Sequence, residues 1–303
     1  MGWKSVLGYF IAIFLVALLF FYWMFPLDTI NFGSVSSRNS NFSLIAGNQG
    51  MQFYENMRYP EKDISYRIQD CPLNKKDNME RAFDIVDDLT DVNFYSVESN
   101  EEILVTCDDE VKYEGDSFVA GEGWPVNITK AGNFNIIKKG VVTLIREPNC
   151  PNPNVGIHEL LHALGFEHSE NPNNIMYPTT KCSQTIGEDI PELINLLYSY
   201  PSLPDVAFEN VSATMNSRYL DLNIVIRNQG LADSSEGTIE VYADEDLVKE
   251  IEFESLEIGH GRKILINNIF ILQKDIDELR FFINADFEEL EKDNNEVILK
   301  YEN

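Results

Sequence analysis

The apolar positions along the chain fall into three patterns. From Val6 to Phe25 the run VLGYFIAIFLVALLFFYWMF holds twenty residues without a charge. A helix of that length measures about 30 Å, the thickness of a bilayer's hydrocarbon core. Lys4 precedes the run and Asp28 follows it, while Trp3, Tyr9, Tyr22 and Trp23 lie toward its ends, where aromatic rings favour the interface. The positive-inside bias then makes residues 1–5 a cytoplasmic tail and residues 6–25 a transmembrane anchor, with the remainder outside the cytoplasm. A cleaved signal peptide, leaving a secreted protein, is the alternative. The run is longer than a signal core, and the chain continues as Pro26-Leu27-Asp28-Thr29 with no A-x-A-like cleavage site.

Residues 26–56 lose periodicity and are rich in Asn, Ser and Gly, the composition of a stalk. Periodicity returns near Asp63. Ile64 to Ile68, Val92 to Val97 and Glu101 to Cys107 alternate as strands, and Met79, Ala82, Phe83, Ile85, Val86 and Leu89 recur at helical spacing within Lys76 to Leu89. Asn133 to Ile145 is β-branched and interrupted by Lys138-Lys139-Gly140, which predicts a hairpin. Helices are expected over Gly156 to Gly165 and Glu188 to Tyr198, the second with Pro191 in its first turn. These elements define a domain over 57–200, and Pro201-Ser202-Leu203-Pro204 reads as a linker. Over 205–303 the pattern changes to short alternating strands (Leu220 to Ile226, Ile239 to Tyr242, Ile264 to Ile271, Leu279 to Ala285) separated by turns such as Asn228-Gln229-Gly230, which predicts a small β-sandwich.

Charge narrows the choice of partner. Fifty acidic residues against 23 basic ones leave a formal net charge of −27, a field that repels nucleic acid. The excess is spread along the chain and describes a solvated surface. All four cysteines, Cys71, Cys107, Cys150 and Cys182, follow the apolar run, and an even number in an extracytoplasmic domain suggests two disulfides. Sequons at Asn41, Asn127 and Asn210 permit glycosylation there.

The chemistry is concentrated in Gly156-Ile157-His158-Glu159-Leu160-Leu161-His162-Ala163-Leu164-Gly165-Phe166-Glu167-His168. His158 and His162 are four apart, so a helix puts them on one face, where both can grip one metal ion. Glu159 sits on the same turn and can reach a water on that ion. Gly165 can adopt the left-handed conformation that ends a helix, turning the chain so that His168 returns as third ligand. Three imidazoles leave a fourth position open, the arrangement of a catalytic zinc site.

This segment, followed by Asn174-Ile175-Met176-Tyr177-Pro178, resembles the metzincin metallopeptidases with their Met-turn, and Ser169 after the third histidine is similar to the matrixin branch. The resemblance covers roughly residues 57–200. It implies an α/β-type domain with a mixed twisted sheet, one catalytic Zn2+ held by His158, His162 and His168, Glu159 as general base and Met176 as an apolar floor beneath the ligands. Peptide-bond hydrolysis on protein or peptide substrates near the cell surface follows, the alternative being a catalytically inactive surface adhesion protein. Residues 26–56 hold no cysteine for a cysteine switch, and His260 is the one histidine left for a second zinc. Asp108, Asp109, Glu110 and Asp116 are candidate Ca2+ ligands without an EF-hand-like pattern to support them. With the strands arranged as in the family, Cys71 and Cys107 reach one sheet edge, and a Cys150–Cys182 bridge staples the two sides of the site.

Leu220 to Gly230 (LDLNIVIRNQG) and Ile283 to Val297 (INADFEELEKDNNEV) resemble a CARDB-type, Ig-like sandwich. The expected fold class is therefore α+β: a mixed-sheet catalytic domain, a C-terminal all-β Ig-like sandwich and an N-terminal transmembrane helix. His260, between two glycines, reads as a turn residue.

Overall fold

The computed structural model describes residues 3–24, 29–36, 50–110, 113–114, 117–146, 150–273 and 276–300. Asn41 and Asp116, singled out above, lie outside this set. The chain divides into two compact units, one of residues 39–204 with 229–233, the other of 1–38, 205–228 and 234–303.

The first unit combines helices with a mixed sheet. Its strands are Met57–Arg58 (β2), Asp63–Gln69 (β3), Asn93–Ser96 (β4), Ile103–Cys107 (β5), Gly121–Ala131 (β8) and Phe134–Leu144 (β9), in the order β2-β9-β5-β3-β4 with β8 paired to β9. All pairs are parallel except β8 with β9. Tyr113–Glu114 (β6) and Ser117–Phe118 (β7) form a separate two-stranded ribbon. Helix Leu73–Leu89 (α2) buries Met79, Ala82, Phe83 and Val86, the stripe that its periodicity marks, and the Phe83 ring stacks on Tyr66 at 3.9 Å. Helices Asn154–Ala163 (α3) and Asp189–Tyr198 (α4) complete the unit. Because β3 and β5 are parallel neighbours, Cys71 and Cys107 emerge at the same end and are bonded, and Cys150 is bonded to Cys182.

One expectation fails here for a clear reason. Lys138-Lys139-Gly140 is not a turn but the middle of β9; the hairpin reverses at Gly132, whose φ is +53°. Gly140 serves packing: a Cβ there would lie 2.4 Å from the Tyr59 hydroxyl and 3.2 Å from the Ala163 carbonyl oxygen. Lys139 reaches across to Glu101.

The second unit is an all-β sandwich. One sheet runs Thr29–Ser36 (β1), Val206–Asn216 (β10), Tyr219–Asn228 (β11) and Gly261–Phe270 (β14). The other runs Asp246–Phe253 (β13), Gly237–Ala243 (β12), Glu278–Asn284 (β15) and Glu296–Lys300 (β16). Alternate residues point inward, so Leu220, Leu222, Ile224 and Ile226 meet Val241, Leu279, Phe281 and Ile283 in one core. Asn228, fully buried, accepts from the Asp205 amide and donates to the Leu256 carbonyl.

Where the sequence suggested a stalk, the structure places β1, antiparallel to β10, with Phe32 buried in the sandwich core. Alternation over so short a polar segment is too weak to announce a strand whose partner begins only at Val206. The unit also contains the helix Trp3–Met24 (α1), in which the side chains of residues 4–6, 18–19 and 21–24 fall outside the description. Among the described residues no helix is long and apolar enough to cross a membrane.

Candidate metal centre

Helix α3 is buried along its whole length, and its end sets the site. Gly165, at φ +96°, stops the helix: its amide donates to the His162 carbonyl, and the Phe166 amide donates to the Leu161 carbonyl. This pair of bonds is a Schellman cap, which needs the left-handed glycine. The reversal returns His168 to the helix face that carries His158 and His162.

The three rings converge. His162 Nε2 lies 3.0 Å from His158 Nε2 and 3.1 Å from His168 Nε2. The other ring nitrogens explain why. His158 Nδ1 faces the Ile175 carbonyl oxygen at 2.6 Å, and His162 Nδ1 faces the Phe166 carbonyl oxygen at 2.7 Å. A carbonyl can only accept, so each Nδ1 carries the proton and each Nε2 presents a bare lone pair. Burial first, and the neighbouring imidazoles second, hold both His158 and His162 down to about 4, so both are neutral near pH 7. Lone pairs at this spacing repel one another unless a cation lies among them. Tetrahedral ligands about 2.0–2.1 Å from zinc stand about 3.3 Å apart, close to what is seen. The donor set therefore fits Zn2+, and it is the one group of three His, Cys, Asp or Glu donors within 4.8 Å of one another among the described residues.

Glu159 is buried beside the triad and shares with it a cleft of 830 Å³, bordered also by Glu122, Trp124 and Pro178. Burial, reinforced by the nearby Glu122 carboxylate, pushes the Glu159 carboxyl up to about 8. Met176 is buried too, and its carbonyl accepts from the amide of Ser169, just past the third histidine.

Several contributors were not foreseen from the sequence. Gly121 and Gly123 in β8 let that strand lie against the helix; a Cβ on Gly123 would stand 2.1 Å from the Glu159 carbonyl oxygen and one on Gly121 2.7 Å from Glu159 Cγ. The signal was present as Gly-x-Gly beside Trp124, but only a fold gives it meaning. The end of the expected stalk also joins the site. The Phe53 amide donates to the Gly165 carbonyl, the Glu167 amide to Met51, and the Phe53 ring stacks on His162 with centroids 5.7 Å apart.

Comparison with known proteins places the unit. The family model described as Matrixin matches residues 58–198. This segment is a matrixin domain. The matrixin family is one of zinc-dependent metallopeptidases, and a convergent group of three histidines lies within the matched segment. A second model, CARDB, matches residues 203–298, the β-sandwich of the second unit. Among solved structures, a CARDB domain from Pyrococcus furiosus, determined in complex with di-metal ions, is similar at 15% identity and a TM-score of 0.27, covering 33% of this chain and 87% of that one. No curated protein matches the chain.

Proposed function

We propose that the protein is a zinc-dependent endopeptidase. The reading is carried by three convergent Nε2 atoms, His162's lying 3.0 and 3.1 Å from the other two, beside a buried carboxyl in an open cleft. When bound, zinc supplies Lewis-acid polarisation of the scissile carbonyl and lowers the pKa of water to about 7. His158, His162 and His168 hold it, the first two oriented through their Nδ1–H bonds to backbone carbonyls. Glu159 takes a proton from the attacking water and passes it to the departing amide nitrogen, so the peptide bond is replaced by a carboxyl and an amine. An upward-shifted carboxyl suits that task, because it must both accept and release a proton near neutral pH.

The setting we propose is a cell membrane, with the catalytic domain outside the cytoplasm. The reading rests on the sequence: the uncharged run from Val6 to Phe25 holds twenty residues, which as a helix would match the thickness of a bilayer core. Two disulfides suit an oxidising compartment. Substrates are then proteins or peptides close to the surface, and the sandwich serves to position the enzyme or bind a neighbour.

Cleavage-site profiling against a peptide library tests the activity. Cleavage is expected from the zinc-loaded protein, lost on chelation and restored by zinc. A zinc-loaded protein inert toward every peptide would favour the adhesion role instead.

A further inference from the structure

One border of the cleft depends on a buried side chain outside the histidine triad. Pro178, Thr179 and Thr180 line the cleft together with the histidines and Glu159. They belong to a mostly exposed segment between Met176 and Thr185, in which Gln184 alone is buried, at 4% exposure. An exposed loop keeps one shape only where its backbone groups are tied down. Both ends of this one are tied. The Tyr177 amide donates to the Asn174 carbonyl. At the other end the Cys150–Cys182 bond, and Asn154 Nδ2 donating to the Lys181 carbonyl at 2.8 Å, hold the chain to the start of α3 and the residues before it. Among the described residues the middle, Pro178 to Thr180, has a single hydrogen bond, from Gln184 Nε2 to the Thr179 carbonyl at 2.9 Å.

Both ends of the Gln184 amide are engaged. Nε2 also donates to the Pro172 carbonyl at 3.2 Å, and Oε1 accepts from the Lys181 amide at 2.7 Å. Carbonyls only accept and a backbone amide only donates, so the orientation of the side chain is fixed. One planar group thus joins Pro172, before Met176, to Thr179 and Lys181, after it. The backbone around Met176 is held by other atoms. The Ile175 amide donates to the Thr185 carbonyl, and the Thr185 amide donates to the Asn173 carbonyl. Ile175 in turn accepts from His158 Nδ1. The side chain of Gln184 therefore bears on the cleft border, whereas the backbone of Thr185 bears on His158.

We propose that Gln184 is a positioning residue for substrate: it sets the place of the Pro178–Thr180 border and, through it, which side chain beside the scissile bond the cleft admits. The proposal rests on the endopeptidase reading. A border of fixed position discriminates between side chains by fit, and a border free to move loses that discrimination.

The test compares the zinc-loaded full chain with Gln184→Met, similar in length but without the amide's donors and acceptor. Hydrogen exchange reads the positioning: faster exchange is expected at the Lys181 amide, with Ile175 and Thr185 still protected and zinc content unchanged. Peptide-library profiling reads the selectivity: the ratio of kcat/KM between the best and the poorest side chain is expected to narrow about tenfold, through KM more than kcat. Gln184→Glu, isosteric and milder for folding, keeps an acceptor for Lys181 but as a carboxylate donates nothing to Thr179. In mildly alkaline buffer it is expected to broaden the profile with Lys181 still protected. Ser183→Ala, exposed on the same segment, is expected to change neither readout. Unchanged exchange at Lys181 in Gln184→Met, or loss of zinc from it, overturns the proposal. A wild type that cleaves, with both Gln184 variants keeping its profile, overturns the proposal alone. A wild type inert toward every peptide overturns the endopeptidase reading and the proposal with it.

Discussion

The matrixin unit and the sandwich build their interiors over different stretches of chain. In the matrixin domain the three convergent histidines, Glu159 and Met176 all fall between His158 and Met176. The sandwich draws its core from Phe32 through to Leu299. Their buried polar groups differ in the same way. Each helix histidine is fixed by a carbonyl within 17 residues of it. In the sandwich, Asp205 is met by Asn294, 89 residues further along the chain. A site built locally keeps its chemistry as long as one helix, its cap and one turn persist. A site built from distant strands exists only when the whole sheet is assembled.

The sharpest way to break this comparison is at the base. Glu159→Ala removes the proton acceptor while leaving the three imidazoles and their carbonyl partners in place. Peptide cleavage is expected to fall about 10²–10⁴-fold with zinc content and unfolding midpoint retained. Retained turnover would move the base elsewhere in the cleft. The converse probe is Phe32→Ala in β1. Removing a buried phenyl ring from the sandwich core is expected to cost about 3–5 kcal/mol, less where the edge strand relaxes. The prediction is a lower midpoint for the sandwich with cleavage by the matrixin domain unchanged, read by calorimetry and assay on one preparation. Equal losses in both would show that the units do not act separately.

How much was legible follows from the same distinction. The histidine spacing, Gly165 and the Met-turn could be read because helix periodicity and a helix cap translate sequence distance directly into space. The Cys71–Cys107 pairing came through because the family resemblance supplied the neighbouring strands. The turn assigned to Lys138-Lys139-Gly140 was misplaced because glycine punctuates turns and also admits close neighbours, here the Tyr59 hydroxyl. Gly121, Gly123 and Phe53 stayed hidden since each acts across the fold, on Glu159 or His162. Strand β1 was invisible for the strongest reason: its partner β10 follows it only after the matrixin domain.

Staples offer a smaller and more selective perturbation. Cys150–Cys182 closes a loop of sequence separation 32 that carries α3, the third histidine and the Met-turn. Replacing both cysteines with serine is expected to cost about 2–4 kcal/mol, mostly through the freer unfolded chain. The loss belongs to the matrixin domain, so zinc retention on heating should fall while the sandwich transition stays put. A shift confined to the sandwich would contradict the local construction of the site.

Acid titration gives the mildest effect and again singles out the matrixin unit. Glu101 is enclosed between Arg67 at 2.9 Å and Lys139 at 3.2 Å, and the hydrogen bond from Arg67, outweighing desolvation, holds its carboxyl at about 2 against an ordinary 4.5. A depressed carboxyl contributes stability that is fully present above its unfolded value and disappears as pH falls through the folded one. The contribution is therefore intact at neutral pH and lost between about 4.5 and 2. Lys139 belongs to β9 and Arg67 to β3, so the ion pairs bracket β5 and protonation loosens the sheet that carries α3. Glu101→Gln should lower the midpoint of the matrixin domain at pH 7 and flatten its decline over that acid window. If wild type and variant fell in parallel from pH 4.5 downward, the acid sensitivity would belong to other carboxylates, and the sheet beneath the zinc helix would owe nothing to this pair.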